Sequence, residues 1–157
     1  MGERVAVVDT SCLIGLSGVQ LTSLPRLLYA DVIVPPAVQS EFGELPTGYT
    51  VREPRDQTLV QSLRLLLGRG ESEVITLGIE IAQSGSQIEV ILDDLHARQV
   101  AANFGLAVVG TVGLLVRAKL GGHIASVRSV LGQMREAGFY CSTELFHKAL
   151  RLAGEED

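Results

Sequence analysis

Acidic side chains stand directly after two of the apolar runs in this chain. Asp9 follows the run from Val5 to Val8, and the pair Asp93-Asp94 follows the run from Ile88 to Leu92. Runs this short, rich in Val and Ile and without alternation, predict strands that are buried on both faces of a parallel sheet. Because ligands bind beyond the carboxyl ends of the strands in an open parallel sheet, we expect these carboxylates to lie at one edge.

Two further acids come from separate segments of the chain. Glu41 follows the second predicted strand, on or after a short helix that opens at Pro35-Pro36, and Glu71 lies at the first turn of a later helix. Carboxylates that crowd together repel each other, and a hard divalent cation relieves that repulsion. Mg²⁺ and Mn²⁺ prefer oxygen ligands and accept phosphate oxygens as well. The pattern therefore predicts a metal site able to promote attack of water on a phosphodiester.

Each of these acids also has an ordinary structural explanation. Asp9, with Thr10 and Ser11 after it, suits the cap of a helix. Glu71 could be a capping-box acid or an acid that favours a helix N-terminus, and Glu41 could be a solvated surface acid. One member of the Asp93-Asp94 pair is expected to cap a helix. The metal hypothesis depends on the combination, since four acids at element ends come from four distant segments.

The elements that must position these acids alternate between strand and helix, which predicts an α/β fold. Strands are also expected at Val32–Val34 and Leu106–Val109, and residues 43–54 are expected to form a long loop. We predict helices at Leu21–Tyr29, Ala37–Phe42, Asp56–Leu67, Glu71–Gln83, Leu95–Phe104, Val112–Lys119, Ile124–Glu136 and Thr143–Leu152. Residues 1–153 are expected to form a single domain and residues 154–157 a C-terminal tail.

Composition limits the class of protein. The chain has 157 residues, of which 46% are hydrophobic and 20% charged, so a folded globular domain is expected. Its net charge of −5 argues against a general phosphate-binding surface, although acids gathered in one site can coexist with a basic rim. The two cysteines show no CxxC spacing, which suits a reducing, cytoplasmic location. No apolar run reaches about 18 residues, so no membrane association is expected.

Five segments in this order resemble PIN-domain proteins of the VapC-like toxin kind, and more narrowly a short prokaryotic subgroup of them. The segments are VVDTSCLI (7–14), VPPAVQSE (34–41), GESE (70–73), LDDLHAR (92–98) and GTVGLL (110–115). The resemblance extends from residue 5 to about residue 153. It implies a three-layer α/β/α sandwich with a central parallel sheet of four to five strands. It also implies an acidic Mg²⁺ or Mn²⁺ site, cleavage of RNA, and the toxin role in a toxin–antitoxin pair with a small antitoxin protein as partner.

The resemblance also implies roles for individual residues. Asp9 and Glu41 match the first and second acids of the family, and Asp94 matches the acid after the later strand. We therefore expect Asp9 and Asp94 to hold the metal, with Asp93 as a lower-ranked ligand. Ser11, together with Thr10, matches the small polar position that orders the site.

Three other positions extend the expected site. Glu71, the fourth expected catalytic acid beside Asp9, Glu41 and Asp94, stands where the commoner toxins have Asp, so its reach is one methylene longer. Arg98 lies four residues after Asp94 and could form an ion pair with it or contact a substrate phosphate. Thr111 could bind phosphate through backbone N–H groups or cap a helix.

Other functions are less consistent with the sequence. A PIN-fold RNA- or protein-binding module without catalytic activity is the main alternative. A phosphatase with the D-x-D-x-T motif is disfavoured because position 11 is Ser, and a dinucleotide-binding fold because no G-x-G-x-x-G follows the first strand. The three histidines have no partner at metal-ligand spacing. The abundance of Leu in residues 13–28 and 59–67 is more than one core face needs, which suggests a homodimer or a groove for the antitoxin.

Overall fold

Five short strands form one parallel sheet in the computed structural model, which describes residues 4–155. The strands follow the order β3-β2-β1-β4-β5 across the sheet. Their bounds are β1 Val5–Val8, β2 Asp31–Val34, β3 Thr50–Val51, β4 Ile88–Ile91 and β5 Ala107–Val109. The predicted parallel sheet of four to five strands is therefore confirmed.

Nine helices flank the sheet within the described residues. They are α1 Thr10–Ser17, α2 Leu24–Leu28, α3 Pro36–Phe42, α4 Gln57–Leu63, α5 Arg69–Gln83, α6 Leu95–Asn103, α7 Thr111–Leu120, α8 Val127–Glu136 and α9 Thr143–Leu152. Helix α5 packs on β1 and β4 and also contacts α3 and α4. Helices α7, α8 and α9 pack against one another, and α2 packs against α7. The three-layer α/β/α sandwich expected from the sequence is confirmed. None of these helices is both long and apolar enough to cross a membrane.

The centre of the sheet is fully buried because strands covered on both faces carry continuous apolar runs. Val7, Val8, Val90 and Ile91 have no exposed surface. Strand β1 pairs with β2 on one side and with β4 on the other, and Val8 lies opposite Ile91. The residues that follow β1 and β4 therefore leave the sheet side by side.

Several predicted boundaries were wrong. Residues 43–54 were expected to be a loop, but Thr50 and Val51 form strand β3, which pairs with β2. Both side chains are exposed, so the apolar pattern that predicts a buried strand is missing there. The helix expected at 56–67 ends at Leu63, and the chain turns there. The helix expected at 21–29 spans only Leu24–Leu28.

Glu155, within the C-terminal tail predicted for residues 154–157, makes several hydrogen bonds to the domain. The Glu155 carboxylate accepts hydrogen bonds from the backbone N–H groups of Val127 and Arg128, from Ser126 Oγ and from Lys119 Nζ. A carboxylate at a helix N-terminus satisfies donors that have no partner within the helix. Glu155 therefore fixes the start of α8, while residues 156 and 157 lie outside the described residues.

A buried charge lies in β4, near the opposite end of the sheet from Asp9. The Glu89 carboxylate is held by both terminal nitrogens of Arg117, at 2.5 and 2.8 Å, and by the Tyr29 hydroxyl at 2.7 Å. Burial alone would raise the pKa of Glu89, but the hydrogen bonds from Arg117 and Tyr29 outweigh it and lower the pKa. Arg117 thus ties α7 to the sheet.

Candidate functional site

Asp9 and Asp93 meet where the strand order reverses. The chain passes from β1 to β2 and β3 on one side and then returns to place β4 on the other side of β1. Crevices at such reversal points are the usual ligand sites of open parallel sheets. The Asp9 backbone N–H donates to the carbonyl oxygen of Ile91 at 3.2 Å, which fixes the end of β1 against the end of β4. Two carboxylates expected from the sequence to share one edge therefore do so.

Asp9 is buried, with only 7% of its surface exposed, and it faces other acids. It precedes α1 in extended conformation, yet its side chain makes no capping hydrogen bond. The pKa of Asp9 is raised to about 7, first by burial and then by the charges of Glu71, Glu41 and Asp93, against the lowering effect of the Thr10 N–H. The helix-cap explanation of Asp9 is therefore not supported, and the charged form of this side chain is costly without a cation.

Glu41 reaches the same place from the far end of α3. A Cβ atom built on Gly70 would lie 2.7 Å from Glu41 Oε1 and 3.2 Å from Asp9 Oδ1. Both carboxylates therefore border the space beside Gly70, where a larger side chain would collide with them. Gly70 is a site residue that the sequence pattern did not single out, although it stands in the GESE segment.

Glu71 lies in the first turn of α5, and its Oε1 accepts a hydrogen bond from the Gly68 N–H at 3.2 Å. Burial raises its pKa, the Gly68 N–H lowers it, the charges of Asp94 and Glu41 raise it, and His96 lowers it. Glu71 thus has the capping role proposed from the sequence and is also a neighbour of the other acids.

Glu73, the second acid of the GESE segment, has a different role. Its carboxylate is buried and accepts hydrogen bonds from the Ala37 N–H at 3.1 Å and from Arg69 Nε at 3.1 Å. Ala37 lies in the first turn of α3, the helix that carries Glu41. Glu73 therefore anchors the element that positions Glu41. Sequence reasoning did not identify it, because the contact spans 36 residues.

Asp93 joins three elements. Its Oδ2 accepts from Ser11 Oγ at 2.8 Å and from Thr111 Oγ1 at 2.7 Å, and its Oδ1 accepts from the Thr111 N–H at 2.8 Å. Ser11 belongs to α1 and Thr111 opens α7, so this carboxylate connects both helices to the end of β4. Thr111 is fully buried, and its N–H is directed to Asp93.

Asp94 is the helix cap of the pair. Its Oδ1 accepts from the Ala97 N–H at 2.9 Å at the start of α6. It also lines the cleft that contains Asp9, Glu71 and Asp93. Asp93 and Asp94 act on different acids: the charge of Asp93 raises the pKa of Asp9, whereas the charge of Asp94 raises the pKa of Glu71.

Arg98 lies behind Asp93 and is not paired with Asp94. Its NH1 donates to the carbonyl oxygen of Leu92 at 2.9 Å. A Cβ on Gly110 would lie 2.6 Å from that nitrogen and 3.2 Å from Asp93 Oδ1, so the guanidinium and this carboxylate border the same small space. Among residues 4–155 no ion pair links Arg98 to Asp94, so that alternative from the sequence was wrong.

Asp9, Glu71, Asp93 and Asp94 border an open cleft of about 520 Å³ whose opposite wall is apolar. Glu41 and Thr10 line a neighbouring pocket together with Asp9 and Glu71, and Thr10 Oγ1 is buried without a hydrogen-bond partner among the described residues. Phe139 and Tyr140 line the opposite wall. No sequence pattern predicts that wall, because α1, the end of α8 and the loop after it come together only in the folded chain.

The donor set suits a hard divalent cation. Within residues 4–155, no group of three or more acidic, imidazole or thiol side chains is arranged so that it could hold a metal ion by itself. The carboxylates are instead grouped around open space, which suits ions that keep several waters and use few protein ligands. The raised pKa of Asp9 and the space beside Gly70 are features that a bound cation and its waters would explain.

Comparison with known proteins gives one positive result. A family model described as a PIN domain matches residues 5–155. No curated protein matches the chain significantly. The match covers every strand and helix of the structure and all of the acids described above.

Proposed function

The chain belongs to the PIN-domain family, and from this premise we propose that it is a Mg²⁺- or Mn²⁺-dependent endoribonuclease. PIN domains are in general nucleases, and these nucleases generally use divalent metal ions. The observation that carries the proposal is the buried Asp9 carboxyl, whose pKa is raised to about 7 by burial and by the charges of Glu71, Glu41 and Asp93. A cation bound there would offset that repulsion.

Each acid has a proposed part in the reaction. Asp9 and Asp93 would hold the cation from adjacent strand ends, and Asp94 would add a carboxylate beside Glu71. This reverses the expected ranking of Asp94 above Asp93, because Asp94 caps α6 and it is the charge of Asp93 that acts on Asp9. Glu71 in the cleft and Glu41 in the neighbouring pocket would orient water by hydrogen bonding. When bound, the cation lowers the pKa of a water molecule and neutralises phosphate charge.

Polar neighbours keep these acids in position. Ser11 and Thr111 hold Asp93 by three hydrogen bonds, and Arg98 fixes the end of β4 through the Leu92 carbonyl. Because each of them acts on a carboxylate or on the strand that carries it, we assign them site-ordering roles. Thr10 follows Asp9 directly and its hydroxyl is buried, so it too is assigned a site-ordering role.

A toxin role with a small antitoxin partner and a homodimeric state are further parts of the proposal. Leu65 and Leu66, in the turn after α4, are 86% and 61% exposed, and Ile14 on α1 is 57% exposed beside the acidic cleft. Such exposed Leu and Ile side chains favour contact with another protein chain. Expression of the wild type should arrest growth, and the Asp9→Asn variant should not; equal growth of both cultures would exclude toxicity by cleavage.

The nuclease activity is tested by incubating purified protein with RNA and Mn²⁺, with and without a chelator. Asp9→Asn is the test variant. Asp31→Asn is its matched control, since Asp31 opens β2 at the opposite end of the sheet. We expect cleavage by the wild type and the control, and none with chelator or with Asp9→Asn. RNA binding without cleavage would favour the alternative of an inactive binding module.

A further inference from the structure

The apolar wall of the acidic cleft has no part in the reaction described above. It is formed by α1 on one side and by the end of α8 with the following loop on the other; the side chains are Ile14, Met134, Ala137, Phe139 and Tyr140. A cleft of about 520 Å³ falls within the range of small-molecule sites. Carboxylates and an aromatic side chain therefore face the same space.

The loop that carries this wall is built as a defined helix end. Gly138 has a φ of +105°, the left-handed conformation that glycine adopts most readily. The Gly138 N–H donates to the Arg135 carbonyl at 3.1 Å, and the Phe139 N–H donates to the Met134 carbonyl at 2.9 Å. These two bonds form a Schellman motif, which fixes the direction of the chain after the helix.

Phe139 fastens this turn to α1. A Cβ on Gly15 would lie 2.8 Å from Phe139 Cδ1 and 2.9 Å from Met134 Cε, so both side chains pack directly on the α1 backbone. On the other side of Tyr140, Cys141 is buried and Ser142 caps α9 through the Leu145 N–H. Tyr140 is thus held between two anchored residues.

Tyr140 itself is 87% exposed and lines the cleft. The other two tyrosines, Tyr29 and Tyr49, are largely covered and donate hydrogen bonds from their hydroxyls. The Tyr140 ring is large, its backbone is fixed, and it faces solvent beside the acidic site. Such a ring is suited to stacking against a planar ligand. Unpaired RNA bases stack on aromatic side chains in this way.

We propose that Tyr140 stacks on an unpaired base of the RNA bound in the cleft, next to the phosphate at the acids. This inference rests on the proposed function, and it adds a residue that contacts a base of the bound RNA. In a duplex both faces of a base are covered by its neighbours, so Tyr140 can stack only on an unpaired base.

The kinetic test compares Tyr140→Ala and Tyr140→Phe with the wild type. Phe104→Ala is the matched control, because Phe104 is 47% exposed at the end of α6 and lies outside the cleft. With single-stranded RNA, Tyr140→Ala should raise KM about five-fold or more with little change in kcat, since stacking contributes about that much per base. Tyr140→Phe should keep the wild-type KM, because the ring remains. An unchanged KM for Tyr140→Ala would overturn the proposal.

The binding test compares an eight-residue oligouridylate with an abasic ribose-phosphate chain of equal charge. It uses the wild type and Tyr140→Ala with Mg²⁺, and both chains carry non-hydrolysable methylenephosphonate linkages so that neither is cleaved. Tyr140-containing protein should bind the oligouridylate about five-fold more tightly than the abasic chain. Tyr140→Ala should lose that difference. Equal binding of the two chains by protein with Tyr140, or no binding of either, would overturn the proposal.

Tyrosine fluorescence gives an independent readout, because the chain has three Tyr and no Trp. The oligouridylate should quench the emission of the protein, and Tyr140→Phe should bind with the same affinity but lose most of the quenching. Failure of the proposed nuclease function appears as no cleavage by the wild type. The stacking proposal fails if the protein binds the oligouridylate and the abasic chain equally well, whether or not cleavage occurs.

Discussion

Asp9 is the residue at which stability and function conflict. It is buried, it has no capping hydrogen bond, and its charge is opposed by three neighbouring acids. Burial, with the charges of those acids, raises its pKa from 3.8 to about 7. A carboxyl with a raised pKa favours folding while it is protonated. That contribution is complete below about pH 3.8 and is lost as the pH rises through about 7.

In metal-free protein, we therefore expect Asp9→Asn to be more stable than the wild type at pH 8 and closer to it at pH 5. Thermal unfolding in chelator at the two pH values measures this difference. Adding Mn²⁺ at pH 8 should raise the Tm of the wild type and leave that of Asp9→Asn nearly unchanged. A wild-type Tm that does not respond to Mn²⁺ would contradict the assignment of Asp9 as a ligand.

Asp93 and Asp94 can be separated by substitution, although the sequence alone left their roles open. Asp94→Ala removes the cap of α6 and should lower the free energy of unfolding by about 1 kcal/mol. Asp93→Ala leaves the buried Thr111 N–H and hydroxyl without their acceptor. It should therefore lower the free energy of unfolding by roughly 1–3 kcal/mol. Urea unfolding measures both. A larger loss for Asp94→Ala would contradict the structural roles described here.

At the scale of elements, one helix supplies both a cleft acid and the anchor for another. Glu71 borders the cleft from the first turn of α5, while Glu73, two residues later, holds the Ala37 N–H at the start of α3. Glu73 thereby positions the helix that carries Glu41. Removal of Glu73 should therefore affect mainly stability, whereas removal of Glu71 should affect mainly cleavage.

Glu73→Ala should destabilise the protein by roughly 1–3 kcal/mol, because the buried Ala37 N–H loses its acceptor. It should also reduce cleavage, because the helix that carries Glu41 loses its anchor. Glu71→Ala, the matched control, should reduce cleavage with a smaller effect on unfolding in urea. Equal destabilisation by the two substitutions would show that Glu73 has no special anchoring role.

The elements differ in how far the sequence could predict them. The strands β1 and β4 and their terminal acids were predictable, because buried parallel strands leave continuous apolar runs. Strand β3 was not, since Thr50 and Val51 are exposed and pair only through the backbone. The contact of Glu73 with α3 and the cleft wall at Tyr140 depend on pairs of segments that only the tertiary fold brings together.

At the scale of the whole molecule, Glu155 links the last described residues to the start of α8. Burial would raise the pKa of Glu155, but the N–H groups of Arg128 and Val127, with Lys119 and Ser126, lower it to about 2. A carboxyl with a lowered pKa adds stability that is present above its ordinary pKa of 4.5. That stability is lost as the pH falls toward 2.

Glu155→Gln should accordingly be less stable than the wild type at pH 7, and the difference should shrink as the pH falls from about 5 to 3. Urea unfolding at these pH values measures it. Glu136→Gln, at the exposed end of α8, is the matched control and should show little difference at any pH. A difference for Glu155→Gln that stays constant between pH 7 and pH 3 would contradict the charge-based explanation.

We propose that carboxylates from distant segments of the chain bind a divalent cation on which RNA cleavage depends. The most direct measurement is a Mn²⁺ titration that follows binding by calorimetry and RNA cleavage in parallel, on the wild type, Asp9→Asn and Asp31→Asn. We predict that binding and cleavage reach half-saturation at the same Mn²⁺ concentration in the wild type and in Asp31→Asn. Asp9→Asn should lose both, with cleavage reduced at least about 100-fold. Cleavage that persists in chelator, or that is unchanged in Asp9→Asn, would contradict the claim.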